Sequence, residues 1–307
     1  MRISILLWIT VAAVLTAADE PVALPSQIKI GRSGLVIEPV RDRIDLPASA
    51  LLKWVSNATT AVTLYYGQFP ISRATLKIQI AGGEDGVLGG TTWDRGGSAF
   101  TRITLGQHTT EAQLNQDWTL THEFIHMGFP SVPREHHWIE EGIATYVEPI
   151  ARVQAGQLTA EKIWSDMVRS MPKGEPASFD KGLDNTHTWG RTYWGGALFC
   201  LLADVQIRER TDNHKGLQDA LRAILKAGGN IEADWPITRA FQTGDSATGV
   251  PVLSELYDRM KAAPVQVDLP ALWKRLGIEL RGRSVIFDDS APLAAVRRAI
   301  TAAHPHA

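Results

Sequence analysis

The segment His122-Glu123-Phe124-Ile125-His126 carries two imidazoles with a carboxylate beside the first. On a helix this spacing puts both imidazoles on one face, one turn apart, close enough to hold a single zinc ion. Downstream, Trp138-Ile139-Glu140-Glu141-Gly142-Ile143-Ala144-Thr145-Tyr146 offers a carboxylate from a second helix as third ligand. The fourth position is then left for water, as a catalytic zinc site requires. Glu140 and Glu141 both qualify, with Glu148 further off; neighbours on a helix point about 100° apart, so only one of the first two can face the ion. Gly142 follows Glu141, where a missing side chain would let another helix approach closely. Glu123 is placed to take a proton from the zinc-activated water and return it to a leaving amine. Attack on a peptide carbonyl also creates an oxyanion, for which Tyr193 and His187 are the donors on offer. His136 and His137 read as structural or surface side chains.

These groups need helices to carry them, and the pattern supplies helices from Thr110 onward. Thr110 and Gln113 form a capping box that opens the first metal-bearing helix, which runs to Gly128 with apolar residues on both flanks and so belongs in the interior. Further helices are expected over 140–155, where Pro149 should introduce a kink, and over 160–171, 193–210 and 215–226. Shorter ones are expected near 235–242, 252–262, 269–276 and 292–303. Upstream, strands are expected at 27–30, 34–38, 75–80 and 98–105, with a helix over 47–59. The glycine-rich segment 82–97 reads as loop or irregular edge, and 172–187 and 243–251 as linker-like. An extended peptide is expected to pair with an edge strand near 96–105.

The chain has 307 residues, 44% of them hydrophobic, and a net charge of −2, which speaks against nucleic acid as a partner. Cys200, the lone cysteine, lies in an apolar run and reads as a buried inert thiol, which excludes an internal disulfide and a thiolate zinc site. Residues 1–18 carry one basic residue, a short apolar run and small residues, and read as a secretory signal peptide. A periplasmic or secreted location follows as an expectation, with no transmembrane segment after cleavage. The remainder divides into a mixed α/β lobe (19–110), a zinc-binding helical core (111–211) and a helical C-terminal lobe (212–307).

His-Glu-x-x-His followed by Trp-x-x-Glu-Gly-x-Ala-x-Tyr resembles the gluzincin metallopeptidases, including the aminopeptidase N family. The stretch from Tyr193 to Leu198, continued from Leu202 to Thr211, is more similar to the glycyl aminopeptidase family. The resemblance implies Glu141 as third ligand beside His122 and His126, Glu123 as general base and Tyr193 as the oxyanion-stabilising group. It implies an α+β, thermolysin-like zincin fold, with a mixed β-sheet N-terminal lobe and a helical C-terminal lobe. The implied activity is zinc-dependent hydrolysis of peptide or protein substrates, with aminopeptidase action as one form. The alternative is a catalytically weak or inactive peptide-binding protein of the cell envelope. Two departures from the family pattern stand out: Gly195 replaces a lysine of the tyrosine motif, and Thr92 stands where aminopeptidases carry an acid that grips the substrate amine. Glu84, Asp85 and Asp94 are the nearby acids.

Overall fold

The structure, a computed structural model, describes residues 22–302. The expected signal peptide lies outside the described residues. A five-stranded mixed sheet is built in the order β1-β2-β3-β5-β4, from β1 (Gln27–Ile30), β2 (Ser33–Ile37), β3 (Arg73–Ala81), β4 (Val87–Asp94) and β5 (Ala99–Gly106). β2, β3 and β5 run parallel, while β1 and β4 are antiparallel to their neighbours. Alternation explains the central strands: Ala74, Leu76 and Ile78 of β3 and Ala99, Thr101, Ile103 and Leu105 of β5 are buried. Between β2 and β3 the chain forms α1 (Ala48–Tyr66), longer than expected, which buries Leu51, Trp54, Val55, Ala58 and Val62. Gly67, in the left-handed region at φ 79°, ends it.

The sequence expectation of one helix from Thr110 to Met127 is corrected: there are two, α2 (Glu111–Gln116) and α3 (Thr119–His126). The capping box of Thr110 and Gln113 opens α2 as expected. Asp117 then breaks the run, because its carboxylate accepts from the backbone amides of Thr119 (2.9 Å) and Leu120 (3.2 Å) and caps the start of α3. Trp54 of α1 anchors the same carboxylate through its indole N–H at 2.9 Å. The interior position expected for this helix holds, since Thr119 to Ile125 are all buried.

Below α3 lies α4 (His137–Gln154), which passes without interruption through Pro149 and is buried over most of its circumference. Then come α5 (Ala160–Ser170), α6 (Gly196–Arg210), α7 (Leu217–Lys226), α8 (Ile237–Thr248), α9 (Val252–Met260), α10 (Leu269–Leu276) and α11 (Ala294–Thr301). Asp204 ties three of them together: it pairs with Arg208 at 2.8 Å, accepts from the Tyr146 hydroxyl at 3.0 Å, and caps α7 through the Leu217 amide at 3.0 Å. One apolar core runs through both the sheet and the helices, from Leu35 to Ile300.

Three other expectations are corrected. Most of the segment 243–251 is not a linker but the end of α8. Its Gly244 packs tightly, so that a Cβ there would lie 2.6 Å from Leu253, and its Asp245 caps α9 through the amides of Leu253 and Ser254. A two-stranded hairpin, β6 (Ile278–Arg281) and β7 (Ser284–Phe287), stands where no strand was expected. The sheet edge lies at β4, within the glycine-rich segment; β5 is flanked on both sides and has no free edge. Among the described residues no helix is long and apolar enough to cross a membrane.

Candidate metal centre

α3 and α4 cross beneath β4, and their side chains meet in a cleft of about 580 Å³. His122 and Glu123 of α3 and Glu141 of α4 are buried, and His126 is half-buried. Glu141 Oε2 lies 3.1 Å from His122 Nε2 and 3.6 Å from His126 Nε2. One ligand atom from each of these three residues can be chosen so that all lie within 4.8 Å of one another. Glu140 turns away, accepting from the Val132 amide at 3.3 Å and facing His137 Nδ1 at 2.8 Å. Glu148 is held by Arg152 at 2.9 Å. Of the three acidic candidates, Glu141 is therefore the one that converges on the two imidazoles.

The protonation of this cluster suits a divalent cation. Burial pushes His126 down to about 4, against the pull of Glu141, so its imidazole is neutral and keeps a lone pair at neutral pH. Burial works the other way on Glu141, but hydrogen bonding to His122 and His137 holds its carboxyl well below the usual carboxylate range. Two imidazole nitrogens and an ionised carboxylate oxygen form a donor set that zinc accepts, with room for a further ligand.

Glu123 projects beside the cluster. Its Oε2 is buried with no hydrogen-bond partner, and burial raises its carboxyl to about 7, against the nearby Thr92 hydroxyl and His122. The strand above leaves little slack: a Cβ on Gly90 would lie 2.7 Å from Glu123 Cγ and 2.7 Å from Ile103 Cδ1. The glycines of this segment serve close packing and a bulge between Val87 and Gly89, which is why a strand was hidden behind a loop-like composition.

Tyr193 reaches the same cleft from a single π-helical turn, Gly190–Gly195, that leads into α6. Its ring lies 6.3 Å from that of His122 and nearly parallel to it. Burial and the charge of Glu141 push its hydroxyl up to about 12, so it stays a proton donor near neutrality. Gly142 allows the close approach expected of it: a Cβ there would fall 2.4 Å from the backbone of Gly196, and one on Gly196 would fall 2.1 Å from the Trp138 carbonyl. Backbone thus meets backbone where α4 passes the π-helical turn, which sets Tyr193 against Glu141. Arg191, buried in the turn, pairs with Asp180 at 2.7 Å and donates to the Gly174 carbonyl. His187, the other donor considered, is exposed and does not line the cleft.

His137 escaped the sequence reading, which took it for a structural or surface side chain. Its Nε2 lies 3.3 Å from Glu141 Oε1 and its Nδ1 2.8 Å from Glu140, and these hydrogen bonds raise it to about 10. A cation at that position orients the Glu141 carboxylate from behind. His136 fits the structural reading, lying 2.9 Å from Asp184, which also accepts from Trp138 and Tyr257. Of the acids considered for gripping a substrate amine, Asp94 lines the cleft, while Glu84 and Asp85 do not.

No protein-family model matches the sequence. A comparison with curated proteins finds no match either. Among solved structures, an aminopeptidase N family protein from Idiomarina loihiensis superposes with a TM-score of 0.61 at 13% identity, over 83% of this chain and 49% of that one. A two-domain M1 zinc metallopeptidase, in a mutant form bound to L-arginine, superposes with a TM-score of 0.50 at 12% identity, over 80% of this chain and 52% of that one. The chain spans about half the length of these structures. At such identities the likeness is one of fold: an α+β arrangement of mixed sheet and helices, as in M1 peptidase domains.

Proposed function

We propose that the chain is a zinc metallopeptidase of the gluzincin type, with a thermolysin-like catalytic arrangement in which His122, His126 and Glu141 hold the ion. The observation that carries this reading is the approach of one Glu141 oxygen to both imidazole nitrogens, at 3.1 and 3.6 Å, beside the unpartnered Glu123 oxygen. Bound there, zinc would polarise the scissile carbonyl and make water acidic enough to attack it near neutral pH. Glu123 takes one proton of the attacking water and delivers it to the departing nitrogen, so that one peptide bond and one water become a carboxylic acid and an amine. A carboxyl raised to about 7 is suited to both transfers. Tyr193 donates its hydroxyl proton in a hydrogen bond to the carbonyl oxygen as charge develops on it.

The substrate lies extended along β4, whose outer edge offers unpaired backbone groups above Glu123. This replaces the docking strand expected near 96–105. From Gly89 to Trp93 the wall has no acid, and the Thr92 hydroxyl is engaged with that of Thr101 at 2.9 Å. Asp94, the considered acid that lines the cleft, accepts from the Gly97 amide at 2.8 Å, so cleavage independent of a free amino end is the form of the reaction proposed. Zinc analysis and turnover of acetylated and unacetylated peptides test the reading together. Stoichiometric zinc and comparable cleavage of both sets are expected, with kcat roughly 10²–10⁴-fold lower in Glu123→Gln and zinc retained. A zinc-free protein, or a Glu123→Gln variant as active as the native chain, would refute it. An exported location is part of the same proposal, and fractionation of the expressing cell checks it.

A further inference from the structure

Large apolar side chains that stay exposed are concentrated at the cleft. Six are exposed among the described residues, and three of them border this site: Leu88 (49%), Trp118 (52%) and Trp189 (61%). Leu88 lies on β4 and Trp118 at the start of α3, both lining the cleft. The Trp118 ring meets His122 edge-on at 5.2 Å, and the Trp189 ring stacks on Tyr193 at 5.8 Å. With the 6.3 Å stacking of His122 on Tyr193, four rings form one continuous row. The two indoles stand at its ends, and the groups proposed to act on the scissile bond stand between them.

The rest of the lining offers little to a charged side chain. Among the described residues no lysine or arginine lines the cleft, and the cationic His137 that does line it already has its two ring nitrogens on Glu140 and Glu141. Glu140 is engaged by His137 and the Val132 amide, and Asp94 accepts from the Gly97 amide at 2.8 Å. Exposed indoles beside a reaction site gain by being covered, and a planar or branched apolar group covers them best.

The geometry points to Trp118 and Trp189, with Leu88 opposite, as an apolar clamp that selects peptides with a large aromatic or aliphatic side chain beside the scissile bond. This rests on the peptidase reading for its ligand class, but binding tests it separately from turnover. The probes are an acetylated, amidated alanine-rich peptide with one central phenylalanine and the same peptide with alanine in its place. Each is titrated calorimetrically into zinc-loaded Glu123→Gln protein. The phenylalanine peptide is expected to bind on the order of tenfold more tightly. That advantage should vanish when Trp118→Ala or Trp189→Ala is added and return with Trp118→Phe or Trp189→Phe. Equal binding of the two peptides, or an equal loss for both in the alanine variants, overturns the clamp. Preferential binding of the phenylalanine peptide by a native, zinc-replete protein that cuts neither would sink the peptidase reading and leave the clamp standing.

Discussion

Glu141 and Leu88 face the same cleft under opposite conditions. Glu141 is buried, its two oxygens are shared among His122, His126 and His137, and its helix meets the Tyr193 turn backbone to backbone at Gly142 and Gly196. Leu88 is half exposed, beside a bulge, on a strand with a single neighbour. On the helical wall the hydrogen bonds and close contacts are already made, so its functional atoms have little room to drift. The strand wall keeps backbone groups and apolar surface open, as a surface that must accept a partner does. Positioning for chemistry thus lies on the helical face, and the free backbone edge that an extended partner needs lies on the strand face of the same groove.

That division can be broken from the helical side first. Tyr193→Phe removes one donor and leaves the ring stacked on His122; kcat is expected to fall roughly 10²–10³-fold with KM and zinc content unchanged. Gly142→Val forces a side chain into the Gly196 backbone, and thermal unfolding should report a loss of about 1–3 kcal/mol or more, accompanied by lower activity. His137→Ala leaves all three proposed ligands in place but frees Glu141 to rotate, and competition with a chelator should show zinc affinity down roughly 10–100-fold. The strand side should respond least: Leu88→Ser is expected to change stability by no more than about 0.5 kcal/mol while raising KM for apolar peptides. A large stability loss in that last variant would show the strand wall to be packed as firmly as the helical one.

The sequence was most legible where one residue type can serve one purpose. The spacing of His122 and His126 has a direct reading on any helix, and the role of Gly142 followed from what a missing side chain permits. The alternation of β3 and β5 was visible because one face of each is buried. Legibility failed where a residue has two uses. Asp117 looks like any polar residue on a helix until its carboxylate is seen to cap α3. Gly89 and Gly90 resemble turn residues, yet the first sits at a bulge of β4 and the second lets that strand press onto Glu123. Gly244 and Asp245 resemble a linker, yet one packs α8 and the other caps α9. His137, unlike His136, stands three and four residues before Glu140 and Glu141 on α4, a spacing that brings it behind Glu141; the signal was lost because the helix was expected to begin at Glu140 and it begins at His137. The hairpin of β6 and β7 has four residues per strand, too few for alternation to stand out from chance.

The π-helical turn before α6 holds one residue more than an α-helical path between the same ends would need. It therefore acts as a phase setting for everything N-terminal to it. Excising a single residue between Tyr193 and α6, such as Trp194, would let the ladder close in the ordinary i to i+4 pattern while α6 stayed in place. The phenol would then swing by about 100° around the helix axis and leave the groove. A protein so shortened would keep its core and lose the aim of one hydroxyl, so a length change of one residue would silence this centre while every proposed zinc ligand remained.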